Sequence, residues 1–179
     1  MNIVLIGYRG AGKSSVACEL ALRLGWDWVD ADDEVERRAG RSIATIFGES
    51  GETAFRELES AVLVELVRRR KIVLAAGGGA VLRADNRELL VSAGKVVWLK
   101  ADAATISRRV AADETTAARR PNLTVQGGER EIVETLAQRL PLYRQCANLE
   151  VDTENKTPAE IADEILDRLD RSELLREPT

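Results

Sequence analysis

Residues 7 to 14 read Gly-Tyr-Arg-Gly-Ala-Gly-Lys-Ser, a complete G-x-x-x-x-G-K-[ST] phosphate-binding loop. An apolar run, Ile3-Val4-Leu5-Ile6, precedes it, and a helical pattern from Ser15 to Leu24 follows. That strand-loop-helix setting gives the motif its meaning. Backbone N–H groups of Gly10, Ala11, Gly12, Lys13, Ser14 and Ser15 can wrap a phosphate, and the helix N-terminus adds partial positive charge. Lys13 can reach the β- and γ-phosphates of a nucleotide, and the Ser14 hydroxyl can hold Mg²⁺.

The chain has no histidine. Histidine general bases, Ser-His-Asp triads and His-liganded zinc are therefore excluded. Chemistry must rest on Lys, Arg, carboxylates and backbone amides, with or without a hard metal, and those are the parts used for phosphoryl transfer. Asp30 and Asp32 close the segment Val29-Asp30-Ala31-Asp32. Ligands of open parallel sheets bind at the carboxyl ends of strands, so these two carboxylates emerge beside the loop if their strand neighbours the first. One can hold Mg²⁺ through water, and the other can accept a hydrogen bond from a substrate hydroxyl. Asp33, Glu34 and Glu36 read as acidic residues that favour a helix start.

Gly77-Gly78-Gly79 ends another apolar run and would let backbone approach a ligand closely. Arg56, Arg120 and Arg139 could each bind carboxylate or phosphate through a fork of N–H groups. A solvated face is the default for any one arginine among 26 basic residues, and local sequence alone does not separate these three from it.

These residues need a scaffold. Short apolar strands at Asn2–Ile6, Asp27–Asp30, Ile72–Ala76, Val96–Leu99 and Leu149–Asp152 alternate with helical patterns. Ile72–Ala76 and Val96–Leu99 lack polar alternation and suit strands buried on both faces. Phe55, Leu58, Val62 and Leu66 mark one face of a helix from about Glu52 to Arg70. Asp102 is placed to cap Ala103–Ala111. Thr157-Pro158-Ala159-Glu160 is a capping box opening a final helix whose Ile161, Ile165, Leu166 and Leu169 form the buried stripe. The alternation predicts an α/β fold with helices on both faces of a parallel sheet. Residues 113 to 128 interrupt the rhythm with few apolar side chains, Arg119-Arg120-Pro121 and Gly127-Gly128, which suits a lid.

The 179 residues suit one domain with a sizeable core. Apolar residues make up 45%, charged residues 31%, and net charge is −4. That balance gives no electrostatic case for nucleic acid or an anionic membrane. Cys18 and Cys146 lie far apart in helical patterns and read as buried free thiols of a reducing compartment. The four-residue apolar run at the N-terminus reads as no signal peptide.

Taken together, Gly7–Ser14, Asp30-x-Asp32, Phe55-Arg56, Gly77-Gly78-Gly79, Arg120-Pro121 and Arg139-x-Pro141-Leu142-Tyr143-Arg144 resemble, in this order, the shikimate kinases. The resemblance runs from Met1 to about Leu169. It implies a three-layer phosphate-loop kinase fold of five parallel strands, with a substrate-binding region at about 31–60 and a lid at about 112–128. It implies transfer of the γ-phosphoryl of ATP, as co-substrate, to the 3-hydroxyl of shikimate by a cytoplasmic monomer serving aromatic amino acid biosynthesis. Lys13 and the loop amides would hold the phosphates, with Ser14 on Mg²⁺ and Asp30 in its water shell. Asp32 would bind and orient the reacting hydroxyl. Arg56, Arg139 and Gly77 to Gly79 would form the shikimate site, Arg109 would stack on adenine, and Arg120 would descend with the lid. Arg120-Pro121-Asn122-Leu123 departs from the usual R-P-L-L, and the stretch from Arg109 to Arg120 is longer than in compact members. The alternatives are a gluconate or nucleoside monophosphate kinase, a nucleotide switch, which would need D-x-x-G and N-K-x-D patterns this chain lacks, and a non-catalytic ATP binder.

Overall fold

A computed structural model describes residues 1–112 and 128–169. Five strands, β1 (Asn2–Ile6), β2 (Asp27–Asp30), β3 (Ile72–Ala75), β4 (Gly94–Lys100) and β5 (Leu149–Asp152), form one parallel sheet in the order β2-β3-β1-β4-β5. Register places Val4 beside Leu74 on one side and Val96 on the other. The helices are α1 (Lys13–Leu24), α2 (Ala31–Ala39), α3 (Ile43–Leu66), α4 (Ala84–Ala93), α5 (Ala103–Ala112), α6 (Gly128–Cys146) and α7 (Pro158–Arg168), with a short 3₁₀ turn at Ala80–Leu82.

Strand side chains alternate between two cores because successive residues point to opposite faces. Ile3, Leu5, Val73, Ala75, Val97 and Leu99 meet α1 and α7, through residues such as Val16, Leu20, Ile161 and Ile165. Val4, Ile6, Leu74, Val96 and Trp98 meet the opposite layer, where Phe55, Leu63, Leu90 and Tyr143 are buried. Burial on both faces explains the unbroken apolar runs in β3 and β4. β1 leads into α1 on one face, whereas β3 leads into α4 on the other. The adjacent carboxyl ends of β1 and β3 therefore flank a crevice, the general ligand position of such sheets.

The predicted caps form. The Thr157 hydroxyl accepts from Glu160 N at 3.3 Å while Glu160 accepts from Thr157 N at 2.7 Å. Asp102 accepts from Thr105 N at 2.6 Å, and those hydrogen bonds hold its carboxyl below its ordinary range. Three expectations need correction. The helix expected from about Glu52 starts at Ile43 and ends at Leu66. Ser42 caps it, and Gly51, at φ 79° and ψ 174°, kinks it just before the expected start, a conformation only glycine adopts cheaply. Glu36 caps this helix rather than its own, accepting from Ile43 N at 2.9 Å. Cys18 is exposed, because the buried stripe of α1 is Val16, Ala17, Leu20 and Ala21. Cys146 is buried and free, and burial pushes its thiol up.

Glu34, also read as part of the acidic helix start, is buried and clasped by Arg37 and Arg38, each at 2.7 Å. Its carboxyl is pulled from 4.5 to about 2, chiefly by the Arg37 hydrogen bond, against burial and with help from Arg38. A depressed carboxyl stabilises the fold above its ordinary value, and this contribution is lost as pH falls through the folded value. Between pH 4.5 and about 2 the thermal midpoint of the wild type should fall more steeply than that of Glu34→Gln. Parallel midpoint curves would show that this clasp is not coupled to folding.

Candidate active site

The loop between β1 and α1 turns back on itself, Ala11 N donating to Tyr8 O at 3.1 Å. Gly7 has φ 144°, and a Cβ there would lie 2.5 Å from the Leu99 carbonyl, so no other residue fits this close pass of β4. α1 begins after Gly12 with no side-chain cap and no acidic residue in its first turn. Its leading N–H groups thus remain available to an anion. Lys13 Nζ donates to Gly7 O at 3.0 Å and Tyr8 O at 2.9 Å, which ties the ammonium to the loop's own rim. Ser15 follows at the exposed start of α1.

β2 pairs with β3, one strand away from β1, and still delivers its carboxyl end to the loop. Ser14 Oγ donates to Asp30 Oδ2 at 2.5 Å. The other Asp30 oxygen accepts from Asp32 N at 2.9 Å and caps α2. One carboxylate thus joins the phosphate loop to the helix that carries Asp32. A hydroxyl and a carboxylate oxygen side by side are hard donors that suit Mg²⁺. Among the described residues no group of three or more His, Cys, Asp and Glu is placed to hold a metal ion.

On the far side of the crevice two arginines are buried, Arg56 at 8% and Arg139 at 7% exposure. Neither is the solvated surface arginine that local sequence leaves as the default. Arg56 Nη1 donates to Glu59 at 2.8 Å and Nη2 to Glu52 at 3.1 Å, and its guanidinium lies 5.0 Å from the Phe55 ring centroid. Burial opposes its charge, but Glu59 and Glu52 outweigh burial and raise its pKa. Gly79 packs directly on this guanidinium, where a Cβ would sit 2.5 Å from its nitrogens. Arg139 Nη1 donates to Gly78 O at 3.0 Å, and its guanidinium lies 5.6 Å from the Tyr8 ring centroid. Gly78 in turn lies against the phosphate loop, with room for a Cβ only 3.2 Å from Arg9 N. Gly77 and the two residues after it are buried at the end of β3. The fold therefore brings two buried cations, three glycines and the phosphate loop to one crevice.

Arg109 sits on the other flank of the loop. It donates to Thr153 O at 2.8 Å, to Thr153 Oγ1 at 3.0 Å and to Gly10 O at 3.5 Å. Arg120 and the expected lid between its ends at 112 and 128 lie outside the described residues. Several participants escape sequence reading. Glu59 is 1% exposed and holds Arg56, a partnership that the i,i+3 spacing on a helix could have signalled. Arg9 lies 3.9 Å from buried Glu131, and Tyr8 packs with Ile106 and Ile132, linking the loop to α5 and α6. Nothing local in the sequence joins those residues.

A phosphate loop at the switch point of a parallel sheet, with a carboxylate-rich strand end and a cationic pocket opposite, defines a phosphate-loop kinase of small molecules. The shikimate kinase family profile matches residues 9–170. A shikimate kinase of Rhodopirellula baltica is 44% identical over 165 residues, covering 92% of this chain and 88% of its own. One from Thioalkalivibrio sulfidiphilus is 44% identical over 164 residues, covering 92% and 84%. The solved structure of Acinetobacter baumannii shikimate kinase in complex with shikimate superposes with a TM-score of 0.89 at 39% identity, covering 98% of this chain and 95% of that one. The chain belongs to the shikimate kinase family.

Proposed function

We propose that this protein transfers the γ-phosphoryl group of ATP to the 3-hydroxyl of shikimate, yielding shikimate 3-phosphate and ADP. The observation that carries this reading is the pair of buried arginines, Arg56 and Arg139, set on Gly79 and Gly78 beside the phosphate loop. A polyol carboxylate needs a cationic end and a hydroxyl acceptor; Arg56 and Arg139 would supply the first, and Asp32, in the first turn of α2, the second. Family membership favours shikimate over gluconate or a nucleoside monophosphate as acceptor.

The residues divide the work. Loop amides from Gly10 to Ser15 bind the phosphates. Lys13 leaves the Gly7 and Tyr8 carbonyls for the β- and γ-phosphates and neutralises charge that grows in the transition state. Ser14 and Asp30 would hold Mg²⁺, which supplies charge neutralisation between the phosphates when bound. Asp32 accepts the proton-bearing hydroxyl of the acceptor and aligns its oxygen with the phosphorus. Arg56 and Arg139 take the carboxylate, with Gly77, Gly78 and Gly79 letting the ring approach. Arg109 faces adenine, and Arg120, within a lid at about 112–128, covers the phosphates and excludes water. Residues 31–60 form the substrate-binding part of a single domain. Among the described residues no helix is long and apolar enough to cross a membrane. Two free cysteines support a cytoplasmic setting, and a net charge of −4 supports action on small molecules and not on nucleic acid.

With Mg²⁺ and ATP, ADP release should be strong with shikimate and near background with gluconate, nucleoside monophosphates or no acceptor. Preferred turnover of another acceptor would retain the phosphate chemistry and refute the carboxylate site. ATP binding without turnover of any acceptor would favour a non-catalytic protein.

A further inference from the structure

Tyr143 lies one helical turn beyond Arg139 on α6, and the roles above leave it unassigned. It is fully buried, and its ring stacks on Trp98 with centroids 5.6 Å apart at 26°. Its hydroxyl donates to the Gly78 carbonyl at 2.7 Å. That same carbonyl accepts from Arg139 Nη1 at 3.0 Å. A single oxygen at the end of β3 thus has two buried donors, one neutral and one cationic, and Gly78 itself is pressed against the phosphate loop at Arg9 N.

Resting on the reading of Arg139 as a ligand of the substrate carboxylate, we propose that Tyr143 is a positioning residue that keeps the Gly78 carbonyl hydrogen-bonded while Arg139 turns its fork to the substrate. The guanidinium N–H that holds this carbonyl cannot serve the carboxylate at full strength as well. If Arg139 were its only donor, substrate binding would leave a buried acceptor unpaired, and that penalty would be subtracted from substrate affinity. The phenol removes the penalty, because its oxygen stays on Gly78 in both states. Stacking on Trp98 limits the ring's freedom, so the hydroxyl waits in place. The second donor also holds the Gly78 peptide against the loop, which keeps the carboxylate end of the site in register with the phosphates.

The test is Tyr143→Phe, which keeps the ring and removes only the hydroxyl. In the free protein Arg139 still satisfies Gly78, so the deficit should emerge on substrate binding. The KM for shikimate should rise on the order of tenfold, with the KM for ATP close to wild type. In an Arg139→Ala background, Tyr143→Phe should change the shikimate KM less than about twofold, because no N–H then has to leave the carbonyl. Unchanged shikimate KM in the single variant would overturn the proposal. Parallel rises in both KM values with a lowered thermal midpoint would also overturn it, since that is the pattern of a merely structural tyrosine. Full additivity with Arg139→Ala would do the same. A wild type that ignores shikimate would overturn the proposed function and this inference with it, whereas an active wild type with an unaffected Tyr143→Phe overturns this inference alone.

Discussion

Lys13→Ala is expected to lower kcat on the order of 10³-fold or more, the scale for removing a preorganised charge from a phosphoryl-transfer transition state. Lys13 donates to Gly7 O and Tyr8 O, which holds its ammonium at the rim of the loop proposed to bind the phosphates. Three phosphate oxygens gather charge as the γ-phosphoryl leaves; the chain has no histidine, and the other cation of the loop, Arg9, lies 3.9 Å from Glu131. The loop amides and the uncapped start of α1 persist in the variant, so ATP should still bind. ADP release under saturating ATP and shikimate, with a parallel measurement of ATP binding, separates the two effects. Near-normal turnover in Lys13→Ala would refute the assignment of the loop as the phosphoryl-transfer site.

Asp32→Asn should reduce kcat by about 10²- to 10⁴-fold, the range for loss of a positioned general base. The substitution keeps size and shape, removes the negative charge and replaces one acceptor oxygen by an NH₂ donor. Asp32 stands in the first turn of α2, where its own N–H is bound by Asp30 at 2.9 Å. Asp30 is tied to Ser14 at 2.5 Å, so the backbone that carries Asp32 is registered against the phosphate loop. The effect should therefore fall on kcat, with ATP affinity held. A steady-state comparison at saturating substrates checks it, and an unchanged kcat would exclude Asp32 from the surroundings of the reacting hydroxyl.

Much of the scaffold was legible because its signals are local. Five short segments gave strand positions within a residue or two of those observed, and β1, β3 and the centre of β4, buried on both faces, need no long-range information to look apolar. The capping box at Thr157 and the cap at Asp102 were readable for the same reason, each closing within three residues. The start of α3 was not, because a glycine kink at Gly51 hid the first helical segment from a single periodic stripe. Cys18 was misplaced because a helical pattern tells that a face is buried but assigns a thiol to that face only when the stripe is followed residue by residue.

The chemistry divides along the same line. A phosphate loop of eight consecutive residues, an Asp-x-Asp strand end and a glycine triplet were determined by the sequence itself, because each acts through backbone and side chains adjacent in the chain. Which arginines are buried beside the glycines was decided by tertiary structure. Arg56 is set apart from the other surface-type cations by Glu59 and Gly79, and Arg139 by a carbonyl 61 residues away. A guanidinium acquires its role from what excludes water around it and which acceptors remain within reach, and both depend on segments that meet only when the sheet brings the carboxyl ends of β1, β2 and β3 together.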